Sequence, residues 1–145
     1  MTDPLNLERQ VCFALAVASR SVIGVYRPLL QPLGLTHPQY LVMLALWQHA
    51  PLSVKELSKL LQLDPGTLSP LLKRLEASGY IRRGRDSRDE RVLEVTLTPE
   101  GWKLRSEAEG IPSSVVDRLG MGLEELQELH QSLTRVIAAA NGAHH

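Results

Sequence analysis

Cys12 is the one cysteine in 145 residues, and it sits in the apolar helical pattern Gln10-Val11-Cys12-Phe13-Ala14-Leu15. A lone thiol cannot close a disulfide within its own chain. Inert packing, a link to another molecule, or redox sensing remain open to it. A second group of residues is cationic. Lys73, Arg74, Arg82, Arg83, Arg85, Arg88 and Arg91 share one stretch with only four acids, Glu76, Asp86, Asp89 and Glu90. Seven minus four leaves +3 there, on a chain whose net charge is zero. Local charge on a neutral chain suits one defined anionic surface better than diffuse adhesion to nucleic acid.

The elements that must position these groups are mostly helices. Leu7, Val11, Leu15, Ala18, Val22 and Val25 recur at a helical period, which predicts a helix from residue 5 to about 27. A second stripe, Cys12, Ala16, Ser19, Ile23 and Tyr26, predicts burial on more than one side, and Pro28, Pro32 and Gly34 end the run. Thr36 with Gln39, and Ser53 with Glu56, have the spacing of capping boxes. The helix after Thr36 ends at Pro51, and the one after Ser53 buries Leu57, Leu60 and Leu61. Asp64-Pro65 starts a further helix, with Asp as cap and Pro in the first position, running to Ser78 before Gly79.

The period then changes. Tyr80 to Arg83 is extended, Arg91 to Leu97 alternates as a half-buried strand, and Gly84 to Glu90 forms a charged hairpin tip. Thr98-Pro99 caps a helix reaching about Glu109, Gly110-Ile111-Pro112 interrupts, and a last helix begins near Ser113 or Gly122 and reaches about Ala140.

Helix 54–61, the turn 62–64 and helix 65–78 make a helix-turn-helix, and the hairpin that follows makes it winged. The fold class expected is mainly α with a small β-hairpin wing. Leu68, Leu71, Leu72 and Leu75 face the core, which turns Thr67, Ser69, Pro70, Lys73 and Arg74 outward. Short hydroxyls near the start of such a helix suit base edges in the major groove, and cations further along suit phosphates. Pro70 removes one backbone donor but does not end the helix, because the leucine period runs through it. Arg85, Arg88 and Arg91 suit a narrow, electronegative minor groove, with Asp89 holding Arg88 or Arg91 by ion pairing. The partner expected is double-stranded DNA.

Other classes find less support. An apolar content of 43% argues against a disordered or fibrous chain, and 4% aromatics leaves the core to Leu, Val and Ala. No unbroken run of eighteen apolar residues exists, so no membrane span is expected. Met1-Thr2-Asp3-Pro4 lacks the features of a signal peptide, and one cysteine without a leader points to the cytoplasm. His37, His49 and His130 lack partners at ligand spacing, so no metal or other cofactor is expected. The terminal His144 and His145 are either native or a tag remnant.

The stretches Ser53-Val54-Lys55-Glu56-Leu57, Asp64 through Glu76, and Asp89-Glu90-Arg91-Val92 through Thr98 resemble the MarR family of bacterial transcription regulators. Together with Gln10 to Leu15, Tyr26-Arg27-Pro28-Leu29-Leu30 and Pro38-Gln39-Tyr40-Leu41, the chain is similar to the organic-hydroperoxide-sensing branch of that family from about residue 7 to 140. The resemblance implies a homodimeric repressor on an inverted-repeat operator. It implies a single domain, 1–145, with 5–34 and 99–141 as dimerisation helices and 36–98 as the winged helix-turn-helix. It further implies release from DNA when an organic hydroperoxide oxidises Cys12.

The same resemblance maps a thiol-contacting tyrosine onto Tyr26, and its second tyrosine position falls on His37, a departure from the pattern. An ordinary thiol, with a pKa of about 8.5, is only about 3% thiolate at pH 7, so a sensor needs donors that favour the anion. A protonated His37 would favour the thiolate more than a phenol does, and a neutral one still donates through one nitrogen. Alternatively His37 is a first-turn surface residue beside its capping Thr36. Cys12 and Tyr26 lie on one helix, about 21 Å apart along its axis, so a contact between them must cross between subunits. With no second cysteine, oxidation leads to sulfenic acid and then a mixed disulfide with a low-molecular-weight thiol, or to over-oxidation; a Cys12–Cys12 bond across the dimer is the other route. Two rival readings stand beside this one. In the first, a MarR-type repressor answers a small aromatic ligand and Cys12 is structural. In the second, the chain is a thiol peroxidase, against which the charged wing argues.

Overall fold

The structure is a computed structural model that describes residues 4–85, 88–89 and 91–142, with the side chains of 4, 5 and 7–9 left aside. Asp86, Ser87 and Glu90 of the hairpin tip, and His144 and His145, lie outside the described residues. The chain divides into two compact units, residues 1–111 and 112–145.

The first unit opens with α1 (Pro4–Leu30), closed by a short 3-10 turn (Gln31–Leu33). The helix runs past the end expected near residue 27 and takes in Pro28. A proline so close to the C-terminus forfeits a single backbone bond, which the remaining turn tolerates. Gly34, at φ 70°, then reverses the chain, its N–H donating to the Gln31 carbonyl.

Burial on several sides of α1 is not what the chain provides. Cys12, Ala16 and Ser19 are exposed, as are Val11 (55%), Phe13 (65%) and Leu15 (38%). The apolar pattern is there, but most of α1 is left exposed. The segment Gln10–Leu33 is also long and apolar enough, by length and composition, to cross a membrane. Arg20 and Arg27 interrupt the unbroken apolar run without making the segment polar.

The helix-turn-helix forms as its local signals predict. In α2 (His37–His49) Thr36 accepts from the Gln39 N–H while the Gln39 side chain accepts from the Thr36 N–H. Ser53 and Glu56 do the same at the start of α3 (Val54–Leu61). Asp64 caps α4 (Pro65–Ala77), which continues through Pro70. Each such cap stabilises its helix by about 1 kcal/mol. Gln62, left-handed at φ 54°, makes the turn between α3 and α4.

Val42, Met43, Leu46, Leu57, Leu68, Leu72, Leu75, Ile81 and Val95 form the core, none more than 1% exposed. Burying one such leucine stabilises the fold by about 1.5–3 kcal/mol. Three expected core leucines fall short. Leu60 is 48% exposed, and Leu61 and Leu71 are only half-buried, because each lies at the edge of its helix's apolar face.

The wing is a sheet of three strands, one more than the hairpin expected. β2 (Ile81–Arg85) pairs antiparallel with β3 (Leu93–Leu97), Arg83 opposite Val95. β1 (Leu52–Ser53) pairs with the other edge of β3, Leu52 opposite Val95. Thr98 then caps α5 (Pro99–Ala108) and ties it to the end of the α4 loop: its N–H donates to the Tyr80 carbonyl at 3.1 Å and its hydroxyl donates to the Gly79 carbonyl. Trp47 Nε1 of α2 donates to the Gly101 carbonyl at 2.9 Å.

In the second unit, Gly120 at φ 65° ends α6 (Ile111–Leu119), and α7 (Leu123–Gly142) follows. No residue of α7 is buried, and Leu123 (69%), Leu129 (44%), Val136 (48%) and Ile137 (46%) stand exposed.

Candidate nucleic-acid interface and thiol site

The outward face of α4 presents the residues the sequence assigned to it. Thr67, Ser69, Pro70, Lys73 and Arg74 are all exposed. The Thr67 side chain is not loose: it bonds the capping carboxylate of Asp64, Oγ1 to Oδ2 at 3.0 Å.

The wing adds Arg82, Arg85, Arg88 and Arg91, all exposed. Asp89 Oδ1 accepts from Arg91 N at 3.0 Å and from Arg91 Nε at 3.2 Å. With its side chain 91% exposed, Arg91 gains orientation from this pair rather than stability.

Arg83 departs from the rest of the basic stretch. It is half-buried and bound by Glu76 of α4, which accepts from its backbone N–H at 3.0 Å and from its guanidinium at 3.0 and 3.2 Å. Those bonds, led by the backbone N–H, hold the Glu76 carboxyl below the usual glutamate range. Arg83 therefore braces the wing against α4. Strand alternation carried the signal: Arg83 follows Ile81 by two, on the inward side.

At the base of α1 the structure brings together two of the three residues named for the thiol site. The rings of Tyr26 and His37 lie 4.8 Å apart at 58°, and Tyr26 also meets Tyr40 at 5.7 Å. Tyr40, buried in the first turns of α2, was not singled out from the sequence, although it falls within the quoted Pro38-Gln39-Tyr40-Leu41. Burial pushes the Tyr26 phenol up, and burial followed by the nearness of Tyr26 pushes up that of Tyr40. Burial pulls His37 down from 6.5. All three are therefore neutral at pH 7, and each carries a hydrogen-bond donor.

Cys12 is not in this cluster. It is an exposed free thiol further up α1, about 21 Å along an unbroken helix from Tyr26. Beside the cluster, Ile23, Arg27, Leu30, Leu35, Thr36 and His37 help line a cavity of about 540 Å³.

Comparison with known proteins agrees with the winged-helix fold. Residues 35–93 match the MarR family model. The HTH-type transcriptional regulator TtmR of Methylorubrum extorquens is 47% identical over 90% of this chain and 67% of its own length. The organic hydroperoxide resistance transcriptional regulator of Bacillus subtilis is 42% identical over 90% of this chain and 89% of its own. Among solved structures, reduced AbfR bound to DNA superposes with a TM-score of 0.75 at 35% identity, covering 92% of this chain and 95% of that one.

Proposed function

Because this chain belongs to the MarR family of transcription regulators, we propose that it is a repressor that senses organic hydroperoxides through Cys12 and lets go of its operator when that thiol is oxidised. The observation that carries the reading is the separation of an exposed thiol on α1 from a cluster of neutral donors made by Tyr26 at the far end of that helix with His37 and Tyr40 of α2. In a two-fold dimer, Tyr26 and His37 of one protomer supply the donors that the partner's thiol lacks. The uncovered apolar residues of α1 and α7 are the material such a dimer needs. A soluble dimer of this kind works in the cytoplasm, and its domain is the whole chain, with helices 5–34 and 99–141 dimerising around the winged 36–98.

The chemistry balances at one sulfur. The thiolate attacks a peroxide oxygen, the O–O bond breaks, and the departing alkoxide takes a proton and leaves as an alcohol. Cys12 is oxidised by two electrons to sulfenic acid. A low-molecular-weight thiol then displaces water to give a mixed disulfide. An adduct of that size at the junction of two protomers shifts the spacing of their recognition helices, and the two half-sites of an inverted repeat are no longer met together. On DNA, Thr67, Ser69 and Pro70 meet base edges, Lys73 and Arg74 hold phosphates, and Arg85, Arg88 and Arg91 serve the wing, with Asp89 aiming Arg91. The B. subtilis relative, named for organic hydroperoxide resistance, supports this reading.

The cavity beside His37 favours a second reading, in which a small aromatic ligand with an anionic group binds near Arg27 and Cys12 is structural. One variant separates the two. Under the redox reading Cys12→Ser binds operator DNA as the wild type does but is not released by an organic hydroperoxide in a gel-shift assay. Release of the serine variant by peroxide overturns the redox reading.

A further inference from the structure

The chain's single phenylalanine is not in its core. Phe13 stands 65% exposed on α1, next to Cys12. Toward the other end of the same helix, Ile23, Arg27 and Leu30 join Leu35, His37 and Pro38 in lining the cavity of about 540 Å³ beside the Tyr26–His37 pair. A ring left in water and an apolar cavity edged by one cation are complementary, because burial removes the ring from water and a guanidinium favours its face.

Symmetry fixes where two such helices meet. A two-fold axis that sets each Cys12 against the other chain's Tyr26 makes two contacts about 21 Å apart, so the α1 helices run antiparallel and centre on Ser19. Position 13 of one helix is then level with position 25 of the other, midway between Ile23 and Arg27. The flank agrees as well. At 3.6 residues per turn, Ile23, Arg27 and Phe13 lie about 20°, 60° and 100° to one side of Cys12, while Leu15 and Val11 lie about 60° and 100° to the other. Such an axis brings like flanks together. Ala16 and Ser19, small and exposed, let the two helices approach closely.

We infer that the ring of Phe13 seats in the partner's cavity between Ile23, Arg27 and His37, and that this seat positions Cys12 at the partner's donors. The inference rests on the hydroperoxide-sensing reading above. Phe13 is a positioning residue: it acts through the placement of the helix that carries the thiol.

Two measurements on the full-length protein test it. In a Cys12→Ser background, Phe13→Cys combined with Ile23→Cys is expected to join two chains through a short thiol-to-thiol cross-linker, while neither substitution alone does so. The two positions are about 15 Å apart along one helix, so the link forms between chains. The second measurement is the rate of Cys12 oxidation by cumene hydroperoxide. Phe13→Ala is expected to slow it about tenfold, Phe13→Leu to restore most of the rate, and both to bind operator DNA as the wild type does. In a chain already lacking the donors, Tyr26→Phe with His37→Phe, adding Phe13→Ala is expected to change the rate less than about twofold, because nothing remains to be positioned. Absence of the link between chains overturns the seat. A wild-type rate in Phe13→Ala, or an equal loss with and without the donors, overturns the positioning role. Wild-type Cys12 that stays reduced in peroxide overturns the sensing reading instead, and the positioning role falls with it while the cross-link still decides the seat.

Discussion

Glu76, in the last turn of α4, grips Arg83 of β2 by its backbone N–H and its guanidinium at once. The carboxylate therefore does two jobs. It covers a backbone donor on the edge strand of the sheet, where an unpaired N–H invites pairing with another chain. It also fixes the angle between the helix that carries Lys73 and Arg74 and the hairpin that carries Arg85 and Arg91. Glu76→Ala is expected to weaken binding to a full operator and to leave binding to a duplex trimmed of the wing-contacted flanks unchanged. Equal losses on the two duplexes would show that Glu76 does not position the wing.

Acid should loosen this architecture in a defined direction. Glu56, Asp64 and Glu76 are each held below their ordinary values by hydrogen bonds, from the Ser53, Thr67 and Arg83 backbone N–H first. A depressed carboxyl contributes stability that is present above its unfolded value, 4.5 for the glutamates, and lost as pH falls through the lower folded value. The Tm is expected to drop as pH falls below about 4.5, and less steeply in Glu76→Gln. Superposed pH profiles of the two proteins would contradict this.

Gly101 shows how tightly the wing is joined to α5. A Cβ there would stand 2.1 Å from the Tyr80 carbonyl oxygen, and backbone cannot step aside as a flexible side chain does. Gly101→Ala is expected to cost about 3 kcal/mol in urea denaturation. A cost below about 1 kcal/mol would mean that the junction yields.

His37 tests the donor cluster. Burial lowers its affinity for a proton, so the unfolded chain takes one up below about 6.5 where the folded chain does not. Stability therefore decreases as the pH is lowered through that range, and His37→Phe should remove this component. The same variant loses one donor to the thiolate and is expected to slow Cys12 oxidation by about tenfold, while binding operator DNA normally. Oxidation at the wild-type rate would remove His37 from the site.

The arginines make an ionic prediction. Arg74→Ala and Arg91→Ala are each expected to weaken operator binding and to reduce the slope of log K against log salt by about 0.9. Slopes equal to the wild type in both variants would remove these residues from the DNA face.

Much of this was legible in the sequence where the signal is local. Thr36 with Gln39, Ser53 with Glu56, and Asp64-Pro65 each announce a helix start through groups three residues apart or fewer, and all three form as read. Signals spread along the chain were harder to read. β1 has two residues and exists only because Leu52 meets Val95, far along the chain. The Tyr26–Tyr40 contact depends on how α1 turns into α2, which no periodicity encodes. The stripes on α1 were visible, but a stripe says that a face needs cover and not which chain supplies it. In sequence Arg83 is indistinguishable from its cationic neighbours, because its partner Glu76 lies seven residues away on a different element.

Pocket geometry across two protomers can be examined by mixing subunits. A heterodimer of Cys12→Ser with a Tyr26→Phe, His37→Phe chain holds one complete site only if the donors come from the opposite protomer. It is expected to react with peroxide at close to the wild-type rate per intact thiol. A rate matching that of the doubly substituted homodimer would place the donors in the same chain as the thiol.

The central claim is that oxidation of one sulfur controls DNA release, and following both events in a single time course tests it most directly. Operator-bound protein is treated with an organic hydroperoxide and a small thiol, with DNA binding followed by fluorescence anisotropy and Cys12 by intact-mass spectrometry. The account predicts that anisotropy falls in step with the appearance of the thiol adduct and recovers when a reductant removes it. Cys12 fully modified with the operator still bound, or release with Cys12 unmodified, would contradict it.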